Sequence, residues 1–151
     1  MHSAVRWSAV IFFVAIVGAQ AVRPPRTNPA VITATATLLP HAPADVARII
    51  DRSCRDCHSN ETRWPWYSNV APMSWVLINH VAHGRDHFNY SEWATYSEDD
   101  QDKLLGSVCS LTRKGRMPLP SYLWIHRDAV LSAADIDTLC AWSDKMRDAL
   151  Q

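Results

Sequence analysis

The sequence has little glycine and no excess of charge of either sign. Only four of its 151 residues are glycine, and 15 basic residues stand against 15 acidic ones. This balance excludes a global electrostatic field that would recruit nucleic acid or an anionic membrane. Alternating polar and apolar stretches, which are typical of strands, are also lacking, and no segment has the composition of a disordered chain. The length fits one ordinary domain, which we expect to be all-α.

Tryptophan, in contrast, is abundant. The chain contains seven tryptophans, and large rings are costly to leave in water. The composition therefore favours either an aromatic core or a chain that wraps a flat, apolar group.

The first residues have the properties of a targeting segment. An uncharged run from Trp7 to Val22 is followed by basic residues at Arg23 and Arg26. The run is long for the apolar part of a signal peptide and short for a membrane span, which needs about 17–25 residues. Ala19-Gln20-Ala21, with small residues at its first and third positions, fits the pattern of a cleavage site. Both a cleaved signal peptide and a retained membrane anchor place the rest of the chain in the periplasm or another extracytoplasmic compartment.

Three segments are therefore predicted. Residues 1–22 form the signal peptide or membrane anchor. Residues 23–43, rich in Pro, Thr and Ala, form a tether without regular periodicity. Residues 44–151 form the folded domain.

Four helices are predicted within the folded domain, each from an apolar face and from its end signals. They run from about Ala44 into Cys54, from Ser74 to about His83 before a stop at Gly84, from an N-cap at Ser97 to Gly115, and from a capping box of Ser132 and Asp135 towards the C-terminus.

The residues CRDCH at positions 54–58 match C-x-x-C-H, the pattern of c-type haem attachment. Two thiols at this spacing can form thioethers to neighbouring edges of one porphyrin, and the histidine that follows then lies under the iron as an axial ligand. Cys54, Cys57 and His58 are thus the predicted attachment and proximal residues for one covalent haem c.

Three different roles for these cysteines fit the sequence less well. A thioredoxin-like dithiol needs a βαβ setting, which is absent. A zinc site needs a second compact ligand pair, and Cys109 and Cys140 lie too far apart in sequence to supply one. A disulfide between Cys54 and Cys57 would leave His58 without a role.

Met117 is the predicted sixth ligand of the iron. It lies in GRMP at positions 115–118, between two predicted helices, where a non-helical segment stiffened by proline can bring a thioether over the haem. The simpler alternative is a gap-filling core methionine. Among the rival ligands His80 is the strongest, and the others are Met73, His83, His87 and His126.

Aromatic and basic residues follow the haem motif. Trp66 and Tyr67 combine an apolar ring with a polar tip, which suits a haem edge, and Arg63 and Arg85 could neutralise the propionates. His126 could hydrogen-bond a propionate. The alternative is that the rings only pack the core and the arginines are solvated.

Cys109 and Cys140 fall on or near the apolar faces of the last two long helices. In an exported protein a disulfide between them is favoured over two free thiols. Two separately buried cysteines remain the alternative.

The stretch CRDCHSNETRWPWYSNVAPMSWVLINHVAHGRDHFNYSEW at positions 54–93, together with GRMP and Tyr122, resembles the bacterial haem-binding domain family of small c-type cytochromes. The resemblance covers about 100 residues, nearly all of the folded part. It implies covalent haem c on Cys54 and Cys57, with His58 as proximal ligand, in an exported or membrane-tethered protein.

These observations predict a small cytochrome-c-like domain that exchanges single electrons with redox protein partners. With His58 and Met117 both bound to iron, no position remains open for a substrate, so we expect a carrier rather than an enzyme. Two alternatives remain open. One is a peroxidase-like haem enzyme or ligand sensor, with His80 or Arg85 above the iron. The other is a haem subunit of a larger membrane redox complex.

Overall fold

The structure, a computed structural model, describes residues 2–31, 37–38 and 42–150, with the side chain of residue 2 left out. The remaining residues of the predicted tether, 32–36 and 39–41, lie outside the described part. Throughout the described ranges the chain is helical or irregular and contains no strand, which confirms the all-α prediction. The α-helices are His2–Ala19 (α1), Ala44–Ser53 (α2), Arg55–His58 (α3), Met73–His87 (α4), Glu98–Arg113 (α5), Pro120–Leu123 (α6) and Ala133–Asp148 (α7).

Short 3-10 helices connect several of these elements. They cover Trp66–Asn69, Tyr90–Thr95 and Arg127–Ala129. Of the helices described, none is both long and apolar enough to cross a membrane.

α5 and α7 form an antiparallel pair. Cys109 of α5 and Cys140 of α7 are joined by a disulfide, as predicted, with their Cα atoms 4.7 Å apart. About two turns away, Arg147 of α7 pairs with Asp102 of α5 through an Nε–Oδ1 distance of 2.8 Å. From one pair to the other, the residue number falls along α5 and rises along α7, so the two helices run in opposite directions.

α2 packs against α7 and completes the main apolar core. Its buried positions are spaced three and four residues apart, as expected of an amphipathic helix. Aromatic residues that follow α4 fill the remaining space, so part of the aromatic composition is explained by the core. The buried cluster consists of Leu38, Val46, Ile49, Ile50, Phe88, Tyr90, Trp93, Leu105, Leu139 and Trp142.

The ends of α5 and α7 follow the predicted signals. Ser97 caps α5 by accepting a hydrogen bond from the Asp100 amide, and Ser132 and Asp135 form a capping box at α7. Gly115 follows α5 with φ of +62°, a conformation that favours glycine. The amide of Arg116 reaches back to the Leu111 carbonyl at 2.9 Å, which completes a Schellman motif.

The prediction that Gly84 ends the second helix of the domain is wrong. α4 continues through Gly84 to His87. A Cβ atom at Gly84 would lie 2.5 Å from the carbonyl oxygen of Cys57, which is closer than real Cβ contacts. Glycine is therefore needed here because α4 approaches the backbone of Cys57, rather than because a helix ends.

Residues 20–28, which we call the strap, connect α1 to the domain by hydrogen bonds along its surface. The Gln20 side chain accepts from the Ala71 amide at 3.0 Å and donates to the Ala71 carbonyl at 3.2 Å. Further along, Arg26 donates to the Ser68 hydroxyl at 3.1 Å and Asn28 donates to a backbone carbonyl at 2.9 Å. The part of the predicted tether nearest α1 thus lies against the folded domain.

Candidate functional site

The C-x-x-C-H residues lie at a break between two helices. α2 ends at Ser53, and Cys54 adopts φ of −129°, after which the single turn of α3 begins. The amides of Cys57 and His58 both donate to the Cys54 carbonyl, at 3.2 and 3.0 Å. This turn brings the two cysteines of the motif to one side of the domain, next to α4.

Cys54 and Cys57 are the unbonded cysteines of the described chain, and both are half-buried. Burial raises the pKa of each thiol to about 11. The thiols are therefore protonated at neutral pH in the unattached chain. The disulfide of the protein lies elsewhere, between α5 and α7, and leaves the motif pair available for other chemistry.

The orientation of His58 is determined by a hydrogen bond to the end of α4. Its Nδ1 atom lies 2.9 Å from the carbonyl oxygen of Phe88. A carbonyl can only accept, so Nδ1 carries the proton and the Nε2 lone pair is left for a ligand. Burial lowers the pKa of His58, which favours the neutral ring. A neutral, oriented imidazole with an available Nε2 is what an axial haem ligand requires.

A polar network holds the loop that follows His58. The amide of Asn60 donates to the Ser91 hydroxyl at 2.9 Å, and Asn89 donates to the Asn60 side chain at 2.8 Å. Asn89 in turn accepts from the Ser91 amide at 3.0 Å. These buried side chains tie the HSN residues after the cysteines to the NYS residues after α4. The sequence had indicated no role for them, although both triplets lie within the stretch that resembles the family.

Arg85 links the same loop to the strap. Its guanidinium donates to the Ser59 carbonyl and the Thr62 hydroxyl, both at 2.8 Å. It also donates to the Thr27 carbonyl at 2.8 Å and to the Asn28 side chain at 2.9 Å. In the structure Arg85 thus holds protein segments together.

Arg63, the other predicted propionate partner, is also engaged by protein groups. Its Nε atom lies 3.1 Å from Asp56 Oδ1, and its Nη1 atom lies 3.2 Å from Asp51 Oδ2. Its role in the structure is therefore to join α2 and α3 to the loop that follows them.

A small cleft lies beside Cys57 and is lined partly by aromatic residues. Tyr67, Tyr122 and His126 face it, together with apolar residues of α4 such as Leu77 and Val81. The Tyr67 hydroxyl hydrogen-bonds with His126 Nε2, and the rings of Tyr122 and His126 stack with centroids 4.1 Å apart. Of the predicted aromatic residues, the structure therefore brings Tyr67 to the motif.

Trp66 and Met117 are placed differently. Trp66 points outward and is 77% exposed. Met117 lies in the irregular segment after α5, as predicted, and is half-buried, but the described lining of the cleft does not include it. Of the rival ligands, Met73, His83 and His87 are exposed, and His80 is half-buried on α4.

The donor groups of the motif fit a haem. The motif supplies two available thiols and one oriented imidazole, and Cys57 lies beside a narrow cleft with aromatic and aliphatic walls. Tyr67, Tyr122 and His126 add hydrogen-bonding groups to the lining of this cleft.

In a comparison with known protein families, the chain matches a family described as a haem-binding domain over residues 14–145. The match covers most of the chain and includes the second part of α1 and the strap. No curated protein and no solved structure matches the chain significantly.

Proposed function

Because the chain belongs to the haem-binding domain family, we propose that this haem protein is an exported c-type cytochrome that transfers single electrons. Its one haem is attached covalently through Cys54 and Cys57, with His58 as the proximal axial ligand. Its partners are redox proteins that donate and accept one electron each.

The observation that carries this proposal is the hydrogen bond between His58 and the Phe88 carbonyl. It fixes the tautomer and direction of a histidine that immediately follows two unpaired thiols at the attachment spacing. Such a second-sphere bond is typical of histidine ligands, because it orients the ring and raises its basicity. The network through Asn60, Asn89 and Ser91 then holds the loop after the ligand in place.

A bound haem supplies the Fe(III)/Fe(II) couple for one-electron exchange. The chain's contribution is to hold, orient and partly shield it. The core aromatic rings of Phe88 and Tyr90 lie with centroids 6.2 Å from that of His58 and limit the access of water on its side. An apolar surrounding disfavours the more highly charged oxidised state.

Export is supported by two features of the chain. The apolar α1 precedes the domain, and a disulfide between α5 and α7 favours an oxidising compartment such as the periplasm.

We assign the sixth coordination position to Met117. It lies in an irregular segment that follows α5, and its amide reaches the Leu111 carbonyl at 3.3 Å. A thioether ligand stabilises ferrous iron and raises the reduction potential. With both axial positions filled, electron transfer is the remaining chemistry.

A haem enzyme or ligand sensor is the second candidate, and the cleft beside Cys57 favours it. Tyr67 and His126 place polar groups along this cleft, whereas Met117 does not line it. Polar groups beside an open iron position are what peroxide or gas chemistry would use.

Visible spectroscopy of the purified holoprotein separates the two candidates. For a carrier, the ferric protein is low-spin with a weak red-edge band from sulfur-to-iron charge transfer, and the ferrous protein binds carbon monoxide poorly. Met117→Ala should then turn the iron high-spin, lower the potential and allow carbon monoxide to bind. A parent protein that binds carbon monoxide readily, together with an unchanged spectrum in Met117→Ala, would contradict the assignment. His80→Ala and His126→Ala would be the next variants.

A further inference from the structure

The carbonyl that accepts from His58 belongs to a peptide group with a second hydrogen-bond partner. His58 Nδ1 lies 2.9 Å from the Phe88 carbonyl oxygen. The N–H of the same peptide group is that of Asn89, and it donates to the Tyr96 hydroxyl at 2.9 Å. A peptide group in the usual trans form directs its C=O and N–H to opposite sides. His58 and Tyr96 are therefore bonded to the two ends of one peptide group.

The position of Tyr96 is determined by contacts other than this bond. Its amide donates to the Trp93 carbonyl at 3.3 Å, and its own carbonyl accepts from the Gln101 side chain at 3.2 Å. Its ring lies against those of Phe88 and Trp93, with centroids 6.3 Å from each. The backbone and the packed ring together keep the hydroxyl at the loop amide.

Hydrogen bonds in series strengthen one another, because each polarises the group that makes the next. A hydroxyl that accepts from the Asn89 N–H makes the carbonyl oxygen at the other end of the peptide group a stronger acceptor. A stronger bond from Nδ1–H then makes the His58 ring more electron-rich at Nε2. An electron-rich axial ligand favours ferric over ferrous iron, since hydrogen bonding around the ligands is one of the factors that set a haem potential.

We propose that Tyr96 is a positioning residue for the proximal ligand. Through the Phe88–Asn89 peptide group it strengthens the Nδ1 hydrogen bond of His58 and lowers the reduction potential of the haem. The inference rests on the proposed function for the ligation of iron by His58, and it does not depend on which group fills the sixth position. Tyr96 lies three residues beyond the stretch that resembles the family, and no motif identifies it.

Tyr96→Phe in the full-length holoprotein tests this inference, because it removes the hydroxyl and keeps the ring. Redox titration should give a higher potential than in the parent. One bond in series adds roughly 10–30% to the strength of the next, so the ratio of ferrous to ferric protein at a fixed ambient potential should rise about twofold to fourfold. At about 59 mV per tenfold change for one electron, this rise equals about 20–35 mV.

Proton NMR of the ferrous protein supplies a second measurement. The Nδ1 proton of His58 should move to higher field in Tyr96→Phe, as expected of a weaker hydrogen bond. The Asn89 amide should exchange faster with solvent, because its acceptor is lost. If the ferrous protein is high-spin, carbon monoxide at the sixth position gives the low-spin, diamagnetic form in which both protons can be observed. A general change of polarity would alter the potential without moving the Nδ1 proton.

Ser143→Ala is the matched control. Ser143 of α7 is fully buried, and its hydroxyl donates to the Leu105 carbonyl of α5. This variant also loses one buried hydroxyl that bonds to the backbone, but away from the motif. It should lower stability in urea unfolding and leave both the potential and the Nδ1 proton of His58 unchanged.

Three results would overturn the inference. These are an unchanged or lower potential in Tyr96→Phe, a changed potential with an unmoved Nδ1 proton, and an equal change of potential in Ser143→Ala. Failure of the proposed function looks different, because the pigment of the parent protein would then extract into acid–acetone. A covalent haem whose potential does not respond to Tyr96→Phe would contradict this inference alone.

Discussion

In the disulfide half of the domain, formed by α2, α5 and α7, the helices bury apolar side chains of the main core. In the motif half, formed by α3, α4 and residues 59–62 and 89–91, several of the buried side chains are polar. The first half buries Leu105 and Leu139 completely. The second is joined by bonds such as those of Asn60 to Ser91 and of Arg85 to Ser59.

This difference has an energetic meaning. Burying one large aliphatic side chain stabilises a fold by about 1.5–3 kcal/mol, whereas one hydrogen bond contributes a net of about 0.5–1.5 kcal/mol. The motif half therefore has less stabilisation of its own. We expect the haem to supply the apolar contacts that this half lacks, and substitutions confined to one half should reveal the difference.

Removal of the attachment cysteines should have the largest effect. Cys54→Ala with Cys57→Ala should yield a protein without covalent haem and without a single cooperative thermal transition, because the apolar group that completes the motif half has been lost. Calorimetry checks the transition, and hydrogen exchange should locate the loss in α3 and α4. A sharp melt like that of the holoprotein would contradict this prediction.

Removal of the disulfide should destabilise the other half and spare the haem. The bond spans a sequence separation of 31 residues, and closing a loop of that length stabilises a fold by about 4 kcal/mol in the chain-entropy model. Cys109→Ala with Cys140→Ala should lower the free energy of unfolding in urea by roughly that amount, with an unchanged visible spectrum. A loss of haem attachment in this variant would show that the two halves are not separable in this way.

A single methyl group at Gly84 should disturb the motif half more gently. Gly84→Ala places Cβ 2.5 Å from the Cys57 carbonyl oxygen, and such overpacking typically costs about 1–3 kcal/mol. Reduced haem loading should accompany the lower stability.

Gly106→Ala is the matched control within a helix. Its Cβ would lie 3.5 Å from the Arg147 side chain, an ordinary contact, so alanine should stabilise α5 by about 0.5–1 kcal/mol. Equal effects of the two substitutions in urea unfolding would contradict the close approach of α4 to Cys57.

Features that depend on neighbouring residues in the chain were predictable from the sequence. The capping box at Ser132 and Asp135, the cap at Ser97 and the turn at Gly115 are local signals, and each is present in the structure. The pairing of Cys109 with Cys140 could also be predicted from the sequence, because both lie near the apolar faces of their helices.

Features that depend on distant contacts could not be predicted. Gly84 carries the same local signal whether it ends a helix or permits a close approach, and only the position of Cys57 distinguishes the two. The partners of Arg85 lie 23 to 58 residues away in the chain, so the sequence could not show that it joins the loop to the strap. For the same reason, the contacts of the strap with Ala71 and Ser68 were not foreseen.

The central claim is that one haem is bound covalently at residues 54–58, and acid–acetone extraction of the purified protein tests it most directly. Thioethers to Cys54 and Cys57 survive this treatment, so the pigment should remain with the polypeptide. Mass spectrometry should then find one haem on the peptide that contains both cysteines and His58. Pigment that passes freely into the acetone, with both cysteines recovered as alkylatable thiols, would contradict the account.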